Sequence, residues 1–150
     1  MTTVPPFDGQ HWLVELHGAE ARVLADVNAI RRCLVEAVAA AGATLLKLEL
    51  HHFGDGMGVA GMALLAESHI SIHTWPEHSY AAVDLFMCGS AARPDRALKM
   101  LEASLHPTSV QVRRLARGFN SSTAAIQGAG RGSSTSPVMG RGFSRAHRTT

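Results

Sequence analysis

The run Ser68-His-Ile-Ser-Ile-His-Thr74 sends Ile70 and Ile72 to one side and His69, Ser71 and His73 to the other. β-Branched residues in a period of two make a strand with one apolar face and one polar, histidine-bearing face. On its N-terminal side, Val59 to Ala66 is another short apolar run. On its C-terminal side, Ser79 to Met87 carries Tyr80, Val83, Leu85 and Phe86. Three successive strands are the simplest account. Further out, Thr44 to Phe53 sets Leu46, Leu48 and Leu50 against Lys47, Glu49 and His51, a half-buried strand closed by the Gly-rich turn Gly54 to Gly58. His11 to His17 reads as a first strand, ended by Gly18, and Thr108 to Leu115 as a last one.

Between these strands the period changes. From Glu20 to Ala41 the residues Val23, Leu24, Val27, Ile30, Leu34, Val35 and Val38 recur at three- and four-residue steps, an amphipathic helix with Gly42 just past its end. Pro94 at the start of Arg93 to Leu105 suits a second helix. The order β-α-β-β-β-β-α-β predicts an α+β fold, a two-layer α/β sandwich whose antiparallel-rich sheet carries both helices on one face. Its other, histidine-bearing face is either solvated or packed against a second copy in an αββα dimer with ligand sites between the sheets.

Composition limits the function classes. The chain has 150 residues, 46% hydrophobic and 17% charged, enough for one compact domain with a filled core. No apolar run is long enough to span a membrane, and Met1-Thr-Thr-Val-Pro-Pro6 lacks a basic-then-apolar signal pattern, so the expectation is a cytoplasmic protein with no membrane partner. Two cysteines, Cys33 and Cys88, are too few for a disulfide framework or a cysteine-based zinc module. A net charge of +2 with 5% aromatic residues speaks against a nucleic-acid partner. Residues 118–150 hold Arg131, Arg141, Arg145 and Arg148, no acidic residue and much Gly, Ser and Thr. Their scattered apolar residues cannot offset the entropy of ordering, so a disordered Gly/Ser/Arg-rich tail is expected there, with the domain spanning residues 8–117.

Reactive side chains concentrate in Glu67-Ser68-His69, His73-Thr-Trp-Pro-Glu77, Asp84 and Cys88. His69 and His73 have the spacing of a helical zinc pair, but on a strand residues four apart lie about 13 Å from each other, too far to share one ion, so no metal is expected. Ser68 lacks the G-x-S-x-G elbow of the serine hydrolases.

The stretch Gly58-Val-Ala-Gly-Met-Ala-Leu-Leu-Ala-Glu-Ser-His-Ile-Ser-Ile-His-Thr-Trp-Pro-Glu77, followed by Tyr80-Ala-Ala-Val-Asp-Leu-Phe-Met-Cys-Gly89, closely resembles the prokaryotic S-adenosylmethionine decarboxylases, which are self-cleaving and pyruvoyl-dependent. The resemblance covers about residues 10–117. It implies that the bond between Glu67 and Ser68 is cut: the Ser68 hydroxyl attacks the Glu67 carbonyl, the amide becomes an ester, and elimination leaves a pyruvoyl group at residue 68. That group is an electron sink made from the backbone, in the part a Schiff-base cofactor plays elsewhere. By motif position His73 is the processing base, a task suited to imidazole, and Cys88 the proton donor after CO2 is lost. Glu77 matches the glutamate that accepts the ribose hydroxyls, and Phe53 the aromatic that stacks on adenine; Phe7 is a further stacking candidate. Trp75 and Asp84 belong to the motif but are assigned to packing and polar anchoring. The implied activity is decarboxylation of S-adenosylmethionine to supply the aminopropyl donor for spermidine synthesis, by a homodimer of cleaved protomers. The alternatives are a same-family decarboxylase of arginine or ornithine, and an unprocessed, inactive relative that binds a partner. Two departures bear on this. Ala60 stands where the family usually has Ser or Thr, whose hydroxyl assists self-processing by hydrogen-bonding the attacked carbonyl, and loss of such a donor slows a step on the order of 10²-fold. The turn Gly54 to Gly58, beside Phe53, lacks the proline of many relatives.

Overall fold

A computed structural model describes residues 9–118. Phe7 and the expected tail beyond Gly118 lie outside them. The elements are β1 (Gly9–His17), α1 (Ala21–Leu24), α2 (Val27–Ala40), β2 (Leu45–His52), β3 (Val59–Leu65), β4 (Ser68–Trp75), β5 (Tyr80–Cys88), α3 (Pro94–Leu105) and β6 (Ser109–Arg117), with a 3₁₀ turn over Pro76–His78. The six strands form one sheet in the order β2-β3-β4-β5-β1-β6, antiparallel at every seam. β1 is therefore inserted between β5 and β6, although it comes first in the chain.

Alternation along the strands divides the sheet into two faces. Trp12, Val14 and Leu16 of β1, Ala63 and Leu65 of β3, Ile70 and Ile72 of β4, and Ala81, Val83, Leu85 and Met87 of β5 are buried with Leu24, Ile30, Cys33, Leu34 and Val38 of the helices and with Leu98, Leu101 and Leu105 of α3. All the helices thus cover one face, as the two-layer expectation required. The expected helix Glu20 to Ala41 is interrupted, however. Asp26 accepts hydrogen bonds from the N–H groups of Asn28 and Ala29 and caps α2, so α1 ends ahead of it. The expected alternation of β2 also fails at one position: a register shift between Leu45 and Lys47 leaves Leu46 61% exposed, while Leu48 and Leu50 pack on the core.

The second face carries no element among the described residues. Its central row runs from Glu49 through Met62, Ser71, Asp84 and Leu13 to Arg113. A second row runs from Lys47 through Leu64, His69, Phe86 and His11 to Leu115. Met62 and Leu64 remain 48% and 46% exposed there.

Candidate active site

β3 and β4 are joined by only two residues, Ala66 and Glu67. Two-residue hairpin loops favour a positive φ within the loop, usually supplied by Gly or Asn. Here the positive φ falls on Ser68, at +155°, a region that residues with a side chain seldom occupy. The loop is tied down on both sides. Ala66 N–H donates to the Thr44 carbonyl (2.9 Å), Thr44 N–H donates to Glu67 Oε2 (2.9 Å), and Cys88 N–H donates to the Glu67 carbonyl (3.1 Å). The carbonyl at the expected cleavage point thus already faces a backbone donor.

The backbone turn at Ser68 breaks the strand alternation. Ser68 and His69, which a regular strand would aim at opposite faces, meet with Ser68 Oγ 3.3 Å from His69 Nδ1. The half-buried Cys88 thiol also hydrogen-bonds the Ser68 side chain; burial pushes its pKa above the usual thiol value, and that hydrogen bond opposes the shift only in part. A thiol held protonated in this way can give a proton to a neighbouring atom. Burial also lowers the pKa of His69, helped by the charge of His11 and opposed by Asp84. Glu67, Ser68, His69 and Cys88 therefore form one cluster.

His73, Phe53 and Glu77 form another. They line a cleft of about 250 Å³ with Met57, Gly58, Val59, Thr74 and Trp75. Thr74, buried between the exposed His73 and Trp75, fixes this region: its Oγ1 accepts from Val59 N–H (2.7 Å) and donates to the Leu24 carbonyl (2.8 Å). The backbones pass so closely that a Cβ on Gly58 would lie 1.9 Å from the Thr74 carbonyl oxygen. Trp75 stacks between His73 and Tyr80, with centroids at 6.0 and 5.3 Å, and Phe53 meets the edge of His51 at 4.7 Å. Ala60 sits opposite His73 in the β3–β4 register. Asp84, expected to anchor strand ends, accepts from Ser71 Oγ (3.2 Å) and pairs with His11 Nε2 (3.4 Å) in the middle of the open face.

The six residues singled out in the sequence thus fall into two half-sites. Glu67, Ser68 and Cys88 stand at one end of β4, and His73, Phe53 and Glu77 at the other. Five residues of strand at about 3.3 Å each put Ser68 and His73 roughly 16 Å apart. His69 was weighed only as a zinc ligand with His73 and given no role beside Ser68, and Thr74 was given none because it reads as an ordinary strand residue inside the motif.

Residues 10–118 match the sequence profile of the S-adenosylmethionine decarboxylase family. The chain belongs to that family. It is 46% identical over 111 residues to an S-adenosylmethionine decarboxylase proenzyme of Methanococcus maripaludis strain S2, covering 74% of this chain and 90% of that one. A protein of the same name from Prochlorococcus marinus strain MIT 9313 is 47% identical over 97 residues, 65% of this chain and 77% of the other. The crystal structure of the adenosylmethionine decarboxylase from Aquifex aeolicus superposes with a TM-score of 0.69 at 38% identity, over 74% of this chain and 91% of that chain. No helix among the described residues is long and apolar enough to cross a membrane.

Proposed function

We propose that this chain decarboxylates S-adenosylmethionine in the cytoplasm, supplying the aminopropyl donor for spermidine synthesis, with a pyruvoyl group produced by autocatalytic cleavage between Glu67 and Ser68. The observation that carries the reading is the division into two half-sites at opposite ends of β4. Neither is sufficient alone: one has the cleavage point and a protonated thiol, the other an aromatic face and a carboxylate beside an imidazole. A two-fold axis lying between two open faces and crossing β4 near Ser71 would set the Ser68 end of one protomer over the His73 end of its partner. Exposed Met62, Leu64 and Leu115 on that face support such a pairing.

The residues present fit a pyruvoyl group at position 68. Ser68 is half-buried, the Glu67 carbonyl that precedes it is held by Cys88 N–H, and the Cys88 thiol lies against its side chain. The group supplies an electron sink for the pair left when the carboxylate departs as CO2. Around it, His73 of the facing protomer removes the α-proton of residue 68 during processing, and Cys88 returns a proton to the substrate carbon. Glu77 accepts the ribose hydroxyls as a charged acceptor, and Phe53 offers 56% of its surface for stacking on adenine. Arginine and ornithine need neither a stacking face nor a diol acceptor, so the cleft favours the nucleoside.

Denaturing mass spectrometry of the purified chain tests the cleavage: residues 1–67 and a pyruvoyl-blocked 68–150 are expected. A single intact chain after prolonged incubation at neutral pH would make the protein an unprocessed relative. CO2 release from carboxyl-labelled S-adenosylmethionine, arginine and ornithine, run in parallel, tests the substrate. Turnover of either amino acid without turnover of S-adenosylmethionine would overturn the assignment.

A further inference from the structure

Self-cleavage poses a chemical problem that the half-site division sharpens. The first step needs a base to take the proton from Ser68 Oγ and a donor to stabilise the oxyanion on the Glu67 carbonyl. Within a protomer His73 is roughly 16 Å from Ser68 along the strand. Ala60, which cannot donate a hydrogen bond from its side chain, is opposite His73 and not near Glu67.

The geometry points to His69 as the base that starts the acyl shift within a single protomer, with Cys88 N–H as the oxyanion donor. His69 Nδ1 is 3.3 Å from Ser68 Oγ, within reach of the hydroxyl proton, and Cys88 N–H is 3.1 Å from the carbonyl oxygen under attack. The inference rests on the self-cleaving reading and names a catalytic residue which that reading lacks. The environment keeps the imidazole unprotonated near neutrality, because it is half-buried with Leu64 of β3 and Phe86 of β5 opposite it. The ionisable groups that face it are His11 of β1, which disfavours a second positive charge, and Asp84 of β5, which opposes that effect; Arg117 of β6 lies beyond, over the Phe86 ring and against His11. The Phe86 ring holds the imidazole edge-on, with centroids at 5.7 Å.

The step balances without any added reactant. His69 takes the proton of Ser68 Oγ as the oxygen bonds to the carbonyl carbon of Glu67, and the oxyanion forms against Cys88 N–H. The carbon–nitrogen bond then breaks, and the proton held by His69 passes to the departing nitrogen of Ser68. The products are a Glu67–Ser68 ester and a free amine. Two consequences follow: ester formation is first order in protomer, and Ala60 does not block it.

Hydroxylamine separates this step from the later elimination, since it cleaves an ester at neutral pH to a Glu67 hydroxamate and leaves the amide intact. The full-length chain is recovered still uncut from inclusion bodies as wild type, His69→Asn, His69→Gln and His73→Ala. It is refolded from denaturant, quenched with hydroxylamine at intervals and weighed by mass spectrometry. Asn and Gln can each accept the Ser68 hydrogen bond but cannot serve as the base, and whichever variant regains the native circular dichroism spectrum decides the result. Ester formation about 10²-fold slower than in wild type is expected, within the range for removing a general base. His73→Ala should accumulate the ester, because its defect falls in the elimination. A folded His69 variant that forms the ester less than tenfold more slowly than wild type overturns the inference while leaving the self-cleaving reading intact. If wild type itself gives neither ester nor cleaved chain, that reading fails first.

Discussion

Thr74→Val replaces one buried hydroxyl with a methyl group of similar shape, and the structure sets what this should cost. Thr74 is 5% exposed, and its Oγ1 is the hydrogen-bond partner of both Val59 N–H and the Leu24 carbonyl. Valine leaves both without that partner in the interior, at about 1–3 kcal/mol each. The extra buried methyl returns about 1 kcal/mol. A net loss of about 3 kcal/mol is expected, which for a domain of this size lowers Tm by about 12 °C or more. Thr74→Ser supplies the control, since it keeps the hydroxyl and loses only the methyl, at about 1 kcal/mol. Both are measured at one fixed protein concentration by urea and thermal unfolding in a Ser68→Ala background, where the chain stays uncut and unfolding does not separate two pieces of it. If Thr74→Val is no more destabilised than Thr74→Ser, the hydroxyl does not hold α1, β3 and β4 together, and the reasoning fails.

Three further outcomes are expected. Gly58→Ala puts a Cβ 1.9 Å from the Thr74 carbonyl oxygen, whereas Gly61→Ala meets only the end of the Leu50 side chain at 2.2 Å; in urea unfolding the first should cost about 3 kcal/mol or more and the second about 1 kcal/mol, and equal costs would refute the rigid backbone contact. Burial against the core pushes the Cys33 pKa from 9.0 up to about 11, so the folded state holds this proton more tightly than the unfolded state. That preference stabilises the fold fully below pH 9 and is lost as pH rises through 11, worth about 2–3 kcal/mol, and a Cys33→Ala chain should show a correspondingly shallower loss of stability over that window. Cys88→Ala should still form two chains on a denaturing gel while its decarboxylation rate falls by about 10²-fold, and unchanged turnover would return Cys88 to a packing role.

The sheet was legible because β4, β5 and β1 alternate cleanly, and alternation depends only on which side chains dislike water. The break at Asp26 was not, because the periodic valines and leucines continue across it and only a local side-chain-to-backbone hydrogen bond decides that α2 starts afresh. Leu46 was misplaced for a related reason: a register shift is a property of two strands together, and one strand's sequence does not announce it. For the site, the motif singled out six candidate residues, but their separation into half-sites depends on strand geometry and on the open face. His69 was hidden by the rule that revealed the strand, since the +155° φ at Ser68 suspends alternation for one residue at the point where it matters.

The strand order also determines what a cut after Glu67 would do to folding. The N-terminal piece owns β1, β2 and β3, and the C-terminal piece owns β4, β5 and β6, yet the order β2-β3-β4-β5-β1-β6 makes three of the five seams join one piece to the other. β1 is gripped on both sides, nine residues in register with β5 and nine with β6, so neither piece can leave without tearing the sheet. Unfolding then changes molecularity: each uncut protomer unfolds to one chain, whereas each cut protomer unfolds to two separate molecules, so the Tm of the cut protein falls more steeply on dilution than that of the uncut one. The order of events follows from this. The sheet must assemble while the chain is still continuous, because afterwards the same native structure could be regained only by a bimolecular encounter of two incomplete sheets with unpaired edges.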